Sequence, residues 1–253
     1  MIELKTKPEI LILKETGDIV SEILSEIVSN IKPGITTKHI EEIADKLFKK
    51  NNVQPAFKGY LGYPGSICVS INEELVHGIP SRNKIVKDND IVKIDVGIKH
   101  KGFYGDVAQT VSLGNTIKEN KDLLQVTYDS FENIKKYANK YCKLGDISAS
   151  VQEHVESYGY SVIRDFVGHG IGRNLHEKPE IPNFGKHSTG PNLMPGMVFA
   201  VEPMVTIGSW EVNILEDGWT VVTKDKKCCA HFEHMLAITE NGCEMLTKIT
   251  NKF

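Results

Sequence analysis

Five side chains spread through the chain, Asp95, Asp106, His169, Glu202 and Glu233, make a carboxylate-rich metal-ligand set with one imidazole. Three interrupt apolar runs: Asp95 in Ile91-Val-Lys-Ile-Asp-Val96, Glu202 in Met197-Val-Phe-Ala-Val-Glu-Pro-Met-Val205, and Glu233 in His231-Phe-Glu-His-Met-Leu-Ala-Ile238. Such runs read as buried strands, where an ionised carboxylate is costly unless a partner or a metal compensates it. Four carboxylates exceed what one divalent ion neutralises. The set therefore points to two ions sharing bridging carboxylates and activating a water. Taken singly, Glu202 fits a buried ion pair as well as a ligand, and the two aspartates also fit a solvated hairpin.

The segment from Asp95 to Asp106 reads as that hairpin, with its turn near Lys101-Gly102. Antiparallel pairing brings the aspartates together across adjacent strands, and a cation between them removes the repulsion. Alternation puts Asp95 on the face opposite Val92, Ile94 and Val96. Gly168-His-Gly-Ile-Gly-Arg-Asn-Leu-His176 reads as a glycine-rich loop that lets backbone approach a ligand. That sets His169 and His176 apart from His39, His100, His154 and His187, which read as surface or helix-face residues.

The elements that must position these groups are legible in outline. Thr6-Lys-Pro-Glu9 has the spacing of a capping box and starts a helix running to about Ile31. Lys32-Pro33-Gly34 ends it, and a second helix covers residues 37–50, with Glu41 and Glu42 suited to the positive end of its dipole. Short β-rich segments fill residues 66–113, with turns at Glu73-Glu74, Ser81-Arg82-Asn83 and Lys101-Gly102. The pattern then restarts with a helix over residues 119–141, a break at Lys143-Leu-Gly-Asp-Ile-Ser148, a helix to about Tyr158, and a β-rich region over residues 161–246.

The restart reads as an internal duplication. Lys32-Pro-Gly-Ile-Thr36 echoes Lys143-Leu-Gly-Asp-Ile-Ser148, and His-Gly-Ile occurs at His77 and at His169. Asn89-Asp-Ile-Val-Lys-Ile-Asp95 aligns with Gly196-Met-Val-Phe-Ala-Val-Glu202, which makes Asp95 and Glu202 equivalents. Two αα-ββ halves, about 1–115 and 116–253, are expected to pack around a pseudo-two-fold as one domain spanning 1–253.

The 253 residues carry a net charge of -3, which gives no global attraction to nucleic acid or to an anionic membrane. Five cysteines without C-x-x-C spacing argue against a disulfide framework or a zinc finger. The start lacks the apolar core of a signal peptide, and no apolar stretch approaches the roughly 20 residues that span a bilayer. The expectation is a soluble, cytoplasmic monomer that reads no nucleic-acid sequence and enters no membrane.

In combination these motifs resemble those of type I methionine aminopeptidases of the bacterial kind, within the pita-bread metallopeptidases. They are Gly62-Tyr-Pro-Gly-Ser-Ile-Cys-Val-Ser-Ile-Asn-Glu-Glu-Leu-Val-His-Gly-Ile-Pro80, Asp95-Val-Gly with Gly105-Asp106, Gly168-His-Gly-Ile-Gly, Glu202-Pro and Glu233-His. The resemblance implies an α+β fold with a curved, mainly antiparallel sheet covered by helices. It implies that Asp95 chelates one metal, that Asp106 and Glu233 bridge both, and that His169 and Glu202 complete the second site. Glu202 is then also the proton shuttle, and His77 and His176 contact substrate; ordering of the turn before Pro80 remains an alternative for His77. Phe57, Tyr60, Tyr63, Cys68, Leu175 and Trp219 become the wall of a methionine slot, although ordinary core packing accounts for the same residue types.

The implied activity removes methionine from nascent polypeptide N-termini with a small second residue, through two divalent ions (Co, Mn, Fe or Zn), with contact to the ribosome surface as a further option. Relatives often carry a hydroxyl residue at Gly97, glutamine at His231 and serine at Cys229. The rivals are proline-specific peptidases of the same fold, which carry a large extra N-terminal domain, and a non-catalytic binding member, which would have lost ligands. The 25 residues (177–201) between His176 and Glu202 leave no room for the helical insertion of the type II enzymes.

Overall fold

The computed structural model describes residues 1–249. The first half contributes helices α1 (Lys7–Ser29) and α2 (Thr37–Lys50) and strands β1 (Gln54–Pro55), β2 (Cys68–Ile71), β3 (Ile91–His100) and β4 (Phe103–Ser112). The second contributes α3 (Lys118–Tyr137), α4 (Leu144–Ser157), β5 (Ser161–Val162), β6 (Gly168–Gly170), β7 (Glu177–Ile181), β8 (Val198–Val201) and β9 (Met204–Thr206). It continues through β10 (Val212–Ile214), β11 (Val221–Thr223), β12 (Cys229–His231), β13 (His234–Thr239) and β14 (Gly242–Met245). All strand pairs among the described residues are antiparallel. None of the described helices is long and apolar enough to cross a membrane.

Each half buries its own helix–sheet interface. Ile23 and Ile27 of α1 and Ile40 and Phe48 of α2 pack on Val92, Ile94 and Val96 of β3. Leu123 and Phe131 of α3 and Ile147 and Val151 of α4 pack with Phe199 of β8 and Leu236 of β13. Each such side chain contributes roughly 1.5–3 kcal/mol by leaving water. Helix starts follow from local chemistry: the Glu9 carboxylate accepts from the Thr6 backbone N–H and hydroxyl, both at 2.8 Å, and Thr36 Oγ1 accepts from His39 N at 3.1 Å.

The β3–β4 turn has Lys101 at φ 47 and Gly102 at φ 83, the two positive values of a type I′ turn. It pairs Gly97 with Asp106 and Asp95 with Ala108. The aspartates thus share a face diagonally, two residues out of register, and do not stand directly opposite. In the second half β8 continues into β9, and β12 into β13, through breaks. Val201 faces His234 and Met204 faces His231, so Glu202 and Pro203 lie across from Phe232 and Glu233. Proline has no N–H to offer there. The Glu233 N–H turns to Ala108 O at 2.9 Å instead, forming a bridge to β4 of the first half. Glu202 and Glu233 therefore occupy gaps between strands, where the sequence suggested strand interiors.

Other expectations shift as well. The first helix ends at Ser29 and α3 at Tyr137, where Ala138 leaves helical geometry and Asn139 Oδ1 accepts from Tyr141 N. Helix α4 begins at Leu144, inside the expected break, because the Asp146 carboxylate caps Lys143 N at 2.7 Å. Glu41 does not serve the α2 dipole. It is buried and accepts from Ser66 N at 2.7 Å, anchoring the loop that leads into β2. The His-Gly-Ile echo is not a structural equivalence, since His169 faces Ala200 of β8 as Ser70 faces Lys93 of β3, while His77 lies beyond β2 at φ 58.

Candidate metal centre

Strands β3 and β4 and the two breaks deliver their charged side chains to one cavity. Asp106, His169 and Glu233 present ligand atoms that all lie within 4.8 Å of one another. Beside them stands Glu202, its Oε1 3.9 Å from His169 Nε2, and Asp95 lines the same cavity from β3. Asn183 Nδ2 donates to the Glu202 carbonyl at 2.9 Å and fixes the break in place.

The electrostatics of this cluster call for positive charge. Burial pushes Asp95 up to about 7, with the Glu202 charge adding to it and His231 opposing it. Burial alone takes Glu202 to about 8. Asp106 is raised well above the usual range by burial and then by Asp95 and Glu202; Glu233 is raised likewise by burial, Asp106, Glu202 and Asp95. Asp95 Oδ1 and Glu233 Oε1 are buried without a hydrogen-bond partner. Buried orphan acceptors among mutually repelling carboxylates are what a bound cation satisfies.

The imidazole fits the same role. His169 Nδ1 lies 2.9 Å from Gly170 O, and a carbonyl only accepts, so that nitrogen carries the proton and Nε2 keeps a free lone pair. Burial, then His176, holds His169 down at about 3, in the neutral form that a metal ligand requires. Its flanking glycines do not form a ligand-binding loop. They sit in β6, where a Cβ on Gly168 would meet Ala200 O at 2.5 Å and one on Gly170 would meet Lys178 O at 2.4 Å.

The remaining wall of the cavity is aromatic. Tyr63 hydroxyl donates toward Ile67 O and Gly78 O at 3.2 and 3.0 Å, and its ring meets Trp219 edge-on at 5.1 Å. His77 packs edge-on against Phe166 and Trp219, and burial, followed by the His231 and His176 charges, lowers it to about 4. Tyr60 Oη lies 2.8 Å from His176 Nδ1, and burial lowers His176 too. Phe57, Cys68 and Leu175 complete the lining, with the Cys68 thiol pushed up by burial and by the Asp95 charge. Gly97 makes room for this wall, because a Cβ there would sit 2.5 Å from the Phe57 ring.

All thirteen residues singled out from the sequence thus adjoin one cavity. Leu61 joins them at the rim, 81 % exposed and at φ 49; its only sequence signal is its place between Gly59 and Gly62. His231 is fully enclosed just behind the carboxylates, with Nε2 3.3 Å from Glu202 Oε2 but without hydrogen-bond geometry at either ring nitrogen.

Comparison with known proteins agrees with this geometry. Residues 12–240 match the model of metallopeptidase family M24. The chain is 49 % identical to methionine aminopeptidase 1 of Bacillus subtilis over 249 residues, spanning 98 % of this chain and all of that protein. A crystal structure of methionine aminopeptidase from Thermotoga maritima superposes with a TM-score of 0.96 at 50 % identity, covering 98 % of this chain and all of the other. The prolidase of Pyrococcus horikoshii shares the fold alone, with a TM-score of 0.79 at 21 % identity; 98 % of this chain spans 64 % of it. With its family model matched across most of its length and near-half identity to full-length relatives, the chain belongs to metallopeptidase family M24 and adopts its pita-bread fold.

Proposed function

We propose that this protein is a methionyl aminopeptidase, hydrolysing the bond after an N-terminal methionine with two divalent ions held by Asp95, Asp106, His169, Glu202 and Glu233. The observation that carries the reading is the juxtaposition of a buried acid cluster, two of its oxygens unpartnered, with an aromatic slot in one cavity. Full-length similarity to methionine aminopeptidases supports the choice of substrate. Asp95, Asp106, His169, Glu202 and Glu233 would together hold the ions, the four carboxylates supplying the negative charge and His169 a neutral nitrogen donor. When bound, the ions lower the pKa of a water and polarise the scissile carbonyl.

The chain's own residues do the rest. The Glu202 carboxylate takes a proton from the attacking water and hands it to the leaving amine. With Tyr60 hydroxyl donating to His176 Nδ1, His176 Nε2–H is free to donate to the carbonyl oxygen as charge develops there. His77, kept neutral by burial, is the second donor. The methionine side chain enters among Tyr63, Cys68, Trp219, Phe57, Tyr60 and Leu175, whose soft faces suit a thioether. A free α-amino group binds at the Asp95 end, and an internal residue has no such group, so cleavage stops after one residue. Nascent polypeptides with a small second residue are the substrates. One chain supplies every lining residue, so a monomer suffices for the site; the substrate class puts it in the cytoplasm, and co-sedimentation checks association with the ribosome surface.

The test strips the protein of metal and reconstitutes it separately with Mn(II), Fe(II), Co(II) and Zn(II). Met-Gly-type peptides should be cleaved with at least one ion while Xaa-Pro peptides are left intact. A preference for Xaa-Pro, or no turnover with any ion, overturns the reading.

A further inference from the structure

Lys93 is 1 % exposed and among the largest side chains the protein buries fully. Its Nζ donates to two backbone carbonyls, Asn72 O at 2.6 Å and Cys229 O at 3.0 Å. Among the described residues no carboxylate lies within ion-pair distance of it. An amine buried this way is expensive, and an apolar side chain of similar volume would fill the space without that penalty. What offsets that cost here is the pair of carbonyls, and what matters is the segments they belong to.

Those carbonyls lie on separate segments. Asn72 directly follows β2 with φ 53, and its oxygen also accepts from Cys229 N at 3.2 Å. Cys229 opens β12, four residues before Glu233, whereas Lys93 precedes Asp95 by two residues on the same face of β3. One Nζ thus links the strand carrying Asp95 to the strand leading to Glu233, across the junction of the two halves. Beside it Thr110 of β4, the register partner of Lys93, donates to His231 O at 2.7 Å and accepts from His231 N at 2.9 Å. At the corresponding place on β8 stands Ala200, so only one half carries this clamp.

We propose that Lys93 is a positioning residue for the acid cluster, fixing the separation of Asp95 and Glu233 by clamping β12 to β3. The inference rests on the reading of that cluster as a metal site. Isothermal titration of stripped protein with Mn(II) compares wild type with Lys93→Met and Lys93→Gln, alongside thermal melts and kcat and KM on a methionyl peptide. Lys93→Met should weaken Mn(II) binding by about tenfold or more and lower kcat with little change in KM, at temperatures where circular dichroism shows it fully folded. Lys93→Gln keeps one donor and should fall between, with binding weakened by about threefold; it carries the test alone if Lys93→Met does not fold. Binding within twofold of wild type in the folded variants overturns the proposal, even if their Tm falls. A wild type that binds no Mn(II) overturns the metal reading itself.

Discussion

From the second helix of each half to its first site carboxylate the counterparts stand 107 residues apart, and the two halves then use them differently. Thr37 and Leu144, Ile40 and Ile147, and Ala44 and Val151 are buried counterparts on α2 and α4, and Asp95 and Glu202 are separated by the same 107. Strands β3 and β4 run unbroken for ten residues each. Their counterparts are cut at Glu202-Pro203 and Phe232-Glu233. Asp95 faces Ala108, whereas Glu202 stands across from Glu233, and by the same register Asp106 corresponds to His231. The unbroken half acts as a stiff ruler for two aspartates. The cut half frees two glutamates from ladder geometry so that they converge on the ruler. Similar strand pairings in the two halves need not carry the same chemistry; the side chains at corresponding points decide it.

The sharpest way to break this comparison is to neutralise equivalent positions. Glu202→Gln should lower kcat by about 10³-fold or more while the folded protein retains part of its metal, if that side chain moves the proton. Asp95→Asn should lose activity together with metal content, both read by steady-state kinetics and elemental analysis. Near-normal turnover in Glu202→Gln would remove it from the mechanism.

Next is the pH dependence of stability without metal. Folded Asp95 and Glu202 hold their protons up to about 7 and 8, well above the ordinary values of 3.8 and 4.5, so the folded state binds more protons than the unfolded chain. Their contribution is complete below about pH 4 and is lost as pH rises through 7 to 8. Melts of stripped protein should therefore show Tm falling over that window, and added Mn(II) should raise Tm more at pH 8 than at pH 5. A flat profile contradicts the burial of these acids.

Gly97→Thr places a side chain against the Phe57 ring on the ruler strand. It should destabilise by about 1–3 kcal/mol in denaturant melts and raise KM for methionyl peptides. Smallest are the helix caps. In the first half the N-cap side chain of Thr36 does the capping; in the second the N3 side chain of Asp146 reaches back. Thr36→Ala should cost about 1 kcal/mol. Asp146→Ala should cost more, since that carboxylate also accepts from Ser188 N at 2.8 Å.

Much of this was legible because charge inside an apolar run is a local signal. Asp95, Glu202 and Glu233 announce themselves that way, and Lys101-Gly102 and the Thr6–Glu9 spacing announce a turn and a cap. The features that escaped depend on pairing between distant segments. Nothing near Glu41 says that Ser66 will claim it, and nothing in His-Gly-Ile says that His169 matches Ser70 and not His77. Lys143-Leu-Gly-Asp-Ile-Ser148 reads as a break because the cap from Asp146 to Lys143 N forms only once the chain has turned. The glycines around His169 looked like a loop because close approach of Ala200 and Lys178 is invisible in sequence. Family resemblance, not periodicity, assigned the aromatic wall.

The Glu233–Ala108 bridge spans a sequence separation of 125 residues, counted as 233 minus 108. Local helices and the β3–β4 hairpin form without it, but a contact of that separation closes a long loop and is slow to form. The acid cluster consequently exists only after the halves have docked, whatever secondary structure is already in place. A metal-sensitive spectroscopic signal during refolding should lag the far-ultraviolet signal, making the cavity a clock for the last step of folding.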